Sequence, residues 1–157
     1  MNATVNTADE NAGARTLEAI RRLPPSGALD DASVETFYSI GYNALASRQY
    51  DDAGNIFGML TAVRPSDPRF VAGLGLAFKG IGDYDNAAML LALAGGLDTG
   101  NPRHYIPLAE ILIAQEKREQ AMVVLDAAVV FASMRKELDE VRVRAEALRE
   151  LLRKNGG

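Results

Sequence analysis

Apolar residues recur along most of the chain at the spacing of three and four positions that is typical of amphipathic helices. The clearest case is the C-terminal stretch, where Arg, Lys and Glu occupy the positions between the apolar ones. The apolar positions of this stretch are Met134, Leu138, Val141, Ala145, Leu148 and Leu152. The pattern predicts a long amphipathic helix there and, together with the segments before it, an all-α fold.

The middle of the chain repeats itself with a period of 34 residues. Ala53, Ala87 and Ala121 follow this period, and so do Tyr50 and Tyr84. Five further columns stay small or apolar in all three copies: Gly41, Gly75 and Ala109; Phe37, Val71 and Tyr105; Ile40, Leu74 and Leu108; Ala44, Phe78 and Leu112; Phe57, Leu91 and Leu125. Small residues let two helices approach closely, so the period predicts three helix-turn-helix copies at about 34–67, 68–101 and 102–135.

Prolines mark the expected starts of the second and third copies. Asp67-Pro68 and Asn101-Pro102 each place a capping side chain before a proline at the first helical position. Pro107 lies further into its segment, where it lacks a backbone donor and crowds the preceding turn. We therefore expect a kink or a late helix start near Pro107.

The 34-residue period resembles the tetratricopeptide repeat, and the match includes Gly41, Tyr50, Ala53, Phe57 and Pro65 of the first copy. The resemblance implies three tandem repeats over residues 34–135 that form a short superhelical solenoid. The first helix of each repeat would line a concave groove.

The flanking segments have distinct patterns. Residues 1–14 are polar and small, which predicts a flexible tail. Residues 136–157 predict a C-terminal helix that caps the last repeat, with a coiled-coil seam as the alternative. Residues 15–33 contain a short amphipathic helix with Leu17, Ile20 and Leu23 on one face. A helix this short is marginal alone, so it either folds back on the repeats or packs against a second copy as a dimer interface.

Composition and charge exclude several classes of function. The net charge of −4 gives no general attraction to nucleic acid, and the absence of cysteine excludes thiolate chemistry. The N-terminal residues lack the pattern of a signal peptide.

His104 is the only histidine, and we expect a surface or capping role for it. No nucleophile, base and orienting group occur at motif spacing, so we predict no enzyme activity, no metal and no cofactor.

Helical spacing predicts which side chains face the groove. The candidate peptide-binding residues are Tyr38, Tyr42, Leu45, Arg69, Ala72, Leu76, Lys79, Ile106, Glu110 and Ile113. Further groove-facing positions are Glu35, Ala46, Gly80, Arg103 and Ala114. Tyr38 and Tyr42 lie one helical turn apart and offer flat apolar area with hydroxyl groups, which suits an extended peptide. Ordinary packing between helices is the alternative interpretation of the two tyrosines.

Beyond the generic repeat, the chain resembles the class II chaperones of bacterial type III secretion, which bind hydrophobic translocator proteins. The segments that carry the resemblance are Asp67-Pro68-Arg69-Phe70, Gly73-Leu74-Gly75, Gly82-Asp83-Tyr84, Asn101-Pro102-Arg103 and Ala109-Glu110. It implies a cytoplasmic bacterial protein that holds a linear translocator segment in its groove without ATP and forms a homodimer in the absence of cargo. The alternative is a tetratricopeptide scaffold or adaptor of a larger complex.

Overall fold

The computed structural model describes residues 29–154, and they form an all-helical fold. The helices are α1 (Asp31–Ala46), α2 (Tyr50–Val63), α3 (Pro68–Ile81), α4 (Tyr84–Leu97), α5 (Tyr105–Ala114), α6 (Arg118–Ser133) and α7 (Asp139–Lys154). Short 3₁₀ turns at Pro102–His104 and Lys136–Leu138 precede α5 and α7. The all-α fold predicted from the sequence is confirmed for this part of the chain. The predicted N-terminal tail and the helix with Leu17, Ile20 and Leu23 lie outside the described residues.

The six helices before α7 form three helical hairpins, α1–α2, α3–α4 and α5–α6, and side-chain caps set where each hairpin begins. Asp30 accepts a hydrogen bond from the backbone N–H of Ser33, so α1 starts at Asp31, ahead of the repeat boundary expected at residue 34. Asp67 and Asn101 accept bonds from the backbone N–H groups of Arg69 and Arg103. Each of these two caps is followed by a proline at the first helical position, as the sequence predicts.

Pro107 delays the start of the third hairpin. Residues Pro102–His104 form a 3₁₀ turn, and the α-helix begins only at Tyr105. Pro107 is therefore the third residue of α5, where its missing N–H has no intrahelical partner to lose. The late helix start expected from the sequence is what the structure shows.

The repeating small residues are contact points between helices. Ala53, Ala87 and Ala121 are fully buried, at 0% exposure, at the same position of α2, α4 and α6. Gly41 lies against Ile56 and Phe57, so a β-carbon at position 41 would come within 3.0 Å of both side chains. Within each hairpin the two helices pack together, and each second helix also packs on the first helix of the next hairpin.

The C-terminal helix α7 covers the last hairpin. Leu138, Val141 and Ala145 are buried against α5 and α6, and Leu148 and Leu152 are half-buried beside them. Met134, which the sequence pattern places on the same stripe, is 72% exposed because α6 ends before it and the chain turns there. No helix within residues 29–154 is long and apolar enough to span a membrane.

Candidate peptide-binding groove

In the part of the chain that the structure describes, three depressions lie along the face formed by the first helices of the hairpins, α1, α3 and α5. Leu76 of α3 lines all three of them, and each depression shares at least one further residue with another. They are therefore parts of one groove. We name them the tyrosine pocket (about 220 Å³), the turn-side pocket (about 500 Å³) and the C-terminal pocket (about 370 Å³).

The tyrosine pocket lies between α1, α3 and the 3₁₀ turn before α5. Its wall includes Tyr38, Tyr42, Leu45, Ala72 and Leu76. The rings of Tyr38 and Tyr42 are 6.4 Å apart between centroids and tilted by 36°. The wall thus combines aromatic faces with aliphatic side chains, which is the composition expected of a site for an apolar segment.

Tyr38 and Tyr42 differ in their surroundings. Tyr38 is half-buried, and its ring contacts Phe57 edge-on at 6.1 Å and Phe70 at 5.9 Å between centroids. Tyr42 is 60% exposed and projects from the same helix one turn later. Tyr38 is therefore part of the core as well as of the pocket wall, whereas Tyr42 is free to contact a bound segment.

Arg69 is held at the rim of the tyrosine pocket by carboxylates. Its guanidinium donates to Glu35 at 2.9 Å and to Asp67 at 2.8 Å, and it lies 4.9 Å from the centroid of the Tyr38 ring. These hydrogen bonds, to Asp67 first and Glu35 second, raise the pKa of Arg69 above its ordinary value. Arg69 is thus a fixed, neutralised part of the wall.

The turn-side pocket depends on one glycine. Gly80, near the end of α3, lies against the ring of Tyr50 at the start of α2, and a β-carbon at position 80 would come 2.2 Å from Tyr50 Cδ1. Tyr50 and Gly80 both line this pocket with Tyr42, Leu45 and Lys79. Since only glycine permits this approach, Gly80 sets the position of the Tyr50 ring.

The C-terminal pocket is closed by an ion-pair network between three helices. Glu110 of α5 accepts a hydrogen bond at 2.5 Å from Lys79 of α3 and another at 2.5 Å from Arg144 of α7. Burial favours a higher pKa for Glu110, but the bonds and charges of Lys79 and then Arg144 outweigh it and lower the pKa. The carboxylate is therefore ionised at neutral pH and ties α7 to the groove.

Helix α7 continues the repeat into a fourth groove helix. Its groove residues Glu140, Val141 and Arg144 stand 34 positions after Ile106, Pro107 and Glu110, and all six line the C-terminal pocket. The candidate residues chosen from the sequence stop at the third repeat and miss these three. The signal was present, because the same 34-residue offset extends into α7.

Nine of the ten candidate groove residues line at least one of the three pockets. Ala72 and Ile106 do so although they are only 7% and 6% exposed, so they form the floor. Ile113 is the exception: it lines none of the three and packs, half-buried, against the core around Leu91 and Ile111. That they contact a bound segment stays a prediction.

We expected a surface or capping role for His104, and this expectation was wrong: its side chain is mostly buried, and although His104 is the N-cap residue of α5, its side chain makes no capping hydrogen bond. Its side chain is 11% exposed, lines the tyrosine pocket, and has its Nε2 3.9 Å from Asp98 Oδ2. Burial lowers the pKa of His104, and the opposing charge of Asp98 is too weak to restore it. Within residues 29–154 no three His, Asp or Glu side chains are grouped so that they could hold a metal ion.

The fold and the groove define a class: a tetratricopeptide-like protein whose elongated apolar site suits a linear peptide rather than a small substrate. No family model matches the chain. The chain is 27% identical over 121 residues to the low calcium response locus protein H of Yersinia pestis, covering 77% of this chain and 72% of that protein.

Solved structures match the fold over most of the chain. PcrH, a Pseudomonas aeruginosa protein, in complex with the chaperone binding region of PopD matches at 24% identity with a TM-score of 0.79, over 83% of this chain and 98% of PcrH. The Yersinia enterocolitica type III secretion chaperone SycD, in complex with a peptide of the translocator YopD, matches at 25% identity with a TM-score of 0.77, over 83% of this chain and 100% of SycD. SycD has also been solved as an alternative dimer. These comparisons confirm the resemblance to the translocator chaperones of type III secretion.

Proposed function

We propose that the chain is an ATP-independent chaperone of type III secretion. It binds a linear segment of a hydrophobic translocator protein in the groove and keeps that protein soluble and secretion-competent in the bacterial cytoplasm. The observation that carries the proposal is the continuous groove along α1, α3, α5 and α7, with Leu76 at the junction of its three pockets. SycD, a similar protein, is a translocator chaperone that binds a peptide of YopD.

The composition of the groove sets the expected affinity. Tyr42, Leu45 and Leu76 offer apolar area to a bound segment, and each buried apolar anchor contributes roughly 1.5 to 3 kcal/mol. Ordering an extended peptide opposes this gain. We expect micromolar to submicromolar binding, which is strong enough to shield a translocator and weak enough to release it for export.

The dimer is a separate part of the proposal. SycD forms dimers, and the apolar face of Leu17, Ile20 and Leu23 is our candidate for a dimer contact in the absence of cargo. Replacing Ile20 by Glu should then shift the cargo-free protein to a monomer in light scattering while leaving cargo binding in place.

Co-expression tests the chaperone function directly. The chain is expressed with each hydrophobic, coiled-coil-bearing protein encoded beside it, and complexes are isolated by co-purification and size-exclusion chromatography with light scattering. We expect a stable soluble complex with a translocator, and loss of that complex for Tyr42→Ala. Met89→Ala is the matched control, because Met89 is 61% exposed but lies on α4 outside the three pockets. Self-assembly that is indifferent to every neighbour would contradict the proposal and favour the scaffold alternative.

A further inference from the structure

Arg103 stands out among the cations of the groove. It lines both the tyrosine pocket and the C-terminal pocket, so it lies where the two meet. It is exposed, and its guanidinium forms no ion pair with any residue in the range 29–154. Arg69 occupies the same position one repeat earlier and is neutralised by Glu35 and Asp67. The two arginines occupy equivalent positions of the repeat, but among the described residues only Arg69 is paired with carboxylates.

The surroundings of Arg103 provide little negative charge. Among the described residues that line the tyrosine pocket, none is an Asp or Glu. In the C-terminal pocket, Glu110 already accepts bonds from both Lys79 and Arg144, which leaves only the exposed Glu140 of α7. Among the described residues, the C-terminal pocket thus has three cationic side chains, Lys79, Arg103 and Arg144, and two carboxylates, Glu110 and Glu140. This part of the groove has an excess of positive charge, although the whole chain has a net charge of −4.

We propose that the segment bound in the groove carries an acidic side chain next to an apolar one, and that its carboxylate pairs with Arg103. The apolar neighbour would enter the tyrosine pocket between Tyr42 and Leu76, and the guanidinium would bind the carboxylate with two parallel hydrogen bonds. This inference rests on the proposed function and adds a specificity element to it. Apolar pockets alone accept many segments, whereas a charge pair sets the register of one.

The test uses overlapping synthetic peptides that tile the translocator found to co-purify with the chain. The tightest-binding peptide is then made with each Glu replaced by Gln and each Asp by Asn, and binding is measured by fluorescence anisotropy. We expect one acidic position whose amide variant binds about fivefold to tenfold more weakly to the unmodified protein. The same change should have no effect on the Arg103→Gln protein, because the partner is already absent.

Charge reversal and a control complete the design. Arg103→Glu should bind the native peptide poorly and regain affinity when the acidic position of the peptide becomes Lys. Arg153→Gln, at an exposed position of α7 away from the pockets, should bind all peptides normally. If peptides bind and Tyr42→Ala weakens them, but no acidic position couples to Arg103, this inference is wrong and the chaperone function stands. If no peptide binds, the proposed function itself fails.

Discussion

Gly73 of α3 packs directly against the ring of Phe57 of α2, and a β-carbon at position 73 would lie 2.4 Å from Phe57 Cδ1. Phe57 is 1% exposed and is packed in the core of the first two hairpins. The contact brings α3 close to α2 and thereby positions Leu76, one turn further along α3, in the groove. A small residue in the core thus supports the geometry of the site.

We predict that Gly73→Ala destabilises the protein by about 1 to 3 kcal/mol, because the added methyl group overpacks the contact with Phe57. The control is Gly58→Ala: a β-carbon at position 58 meets no atom of the described residues within 4 Å, so alanine should stabilise α2 by about 0.5 to 1 kcal/mol. Urea denaturation of both variants measures the difference. Equal free energies of unfolding would show that α2 and α3 do not pack this closely.

The turns inside the three hairpins share a left-handed residue. Arg48, Gly82 and Glu116 stand 34 positions apart and have φ values of 60°, 84° and 59°. Glycine adopts this region without strain, whereas a residue with a β-carbon does so at a cost. We predict that Arg48→Gly and Glu116→Gly each raise the free energy of unfolding by about 0.5 to 1 kcal/mol, and that Gly82→Ala lowers it similarly. Thermal denaturation should therefore give a higher melting temperature for the two glycine variants and a lower one for Gly82→Ala. A shift in the same direction for all three variants would contradict the turn geometry.

The two tyrosines should respond differently to truncation. Tyr38→Ala removes ring contacts with Phe57 and Phe70, so we expect a loss of about 2 to 4 kcal/mol of stability. Tyr42→Ala removes an exposed ring and should leave the melting temperature nearly unchanged while weakening cargo binding. Circular dichroism and a binding assay separate the two effects. A large drop in stability for Tyr42→Ala would mean that Tyr42 also belongs to the core.

The lowered pKa of His104 should make the stability of the fold depend on pH in a definite direction. Because burial lowers its pKa, the unfolded chain binds a proton at higher pH than the folded chain. The free energy of unfolding should therefore fall as the pH drops through the ordinary pKa of 6.5 toward the folded value. His104→Asn should remove this slope. Asp67 and Glu110, whose pKa values are lowered, lose their stabilising contribution only in more acidic solution, below their ordinary values of 3.8 and 4.5. A slope unchanged in the variant would rule out the assignment to His104.

Much of the fold follows from the 34-residue period. Residues at equivalent positions of the three copies are small or apolar because they make the same contact between helices in each copy. Local backbone chemistry made other features predictable as well. These are the caps at Asp67 and Asn101 and the late helix start at Pro107. The all-helical architecture could therefore be predicted from the sequence.

The site was less predictable because burial depth depends on neighbours that are distant in sequence. Helical spacing places Tyr38 and Tyr42 on one face, but only the packing of Phe57 and Phe70 draws Tyr38 into the core. His104 looked like a surface residue because its enclosure arises from the tyrosine pocket and from Asp98.

The role of Arg144 could have been found from the sequence. Glu35 and Arg69 form an ion pair across one repeat, and Glu110 and Arg144 form another with the same offset of 34 residues. Helix α7 therefore both caps the last hairpin and supplies side chains to the groove.

Photo-crosslinking from the groove tests the central claim most directly. A benzoylphenylalanine is placed at position 42 in one variant and at position 89 in another, and each is co-expressed with the translocator and irradiated. Both sites are similarly exposed, at 60% and 61%, but only position 42 lines the groove. We predict a strong crosslink to one translocator segment from position 42 and none from position 89. Crosslinks from position 89 alone would show that the translocator binds outside the groove and would contradict the account.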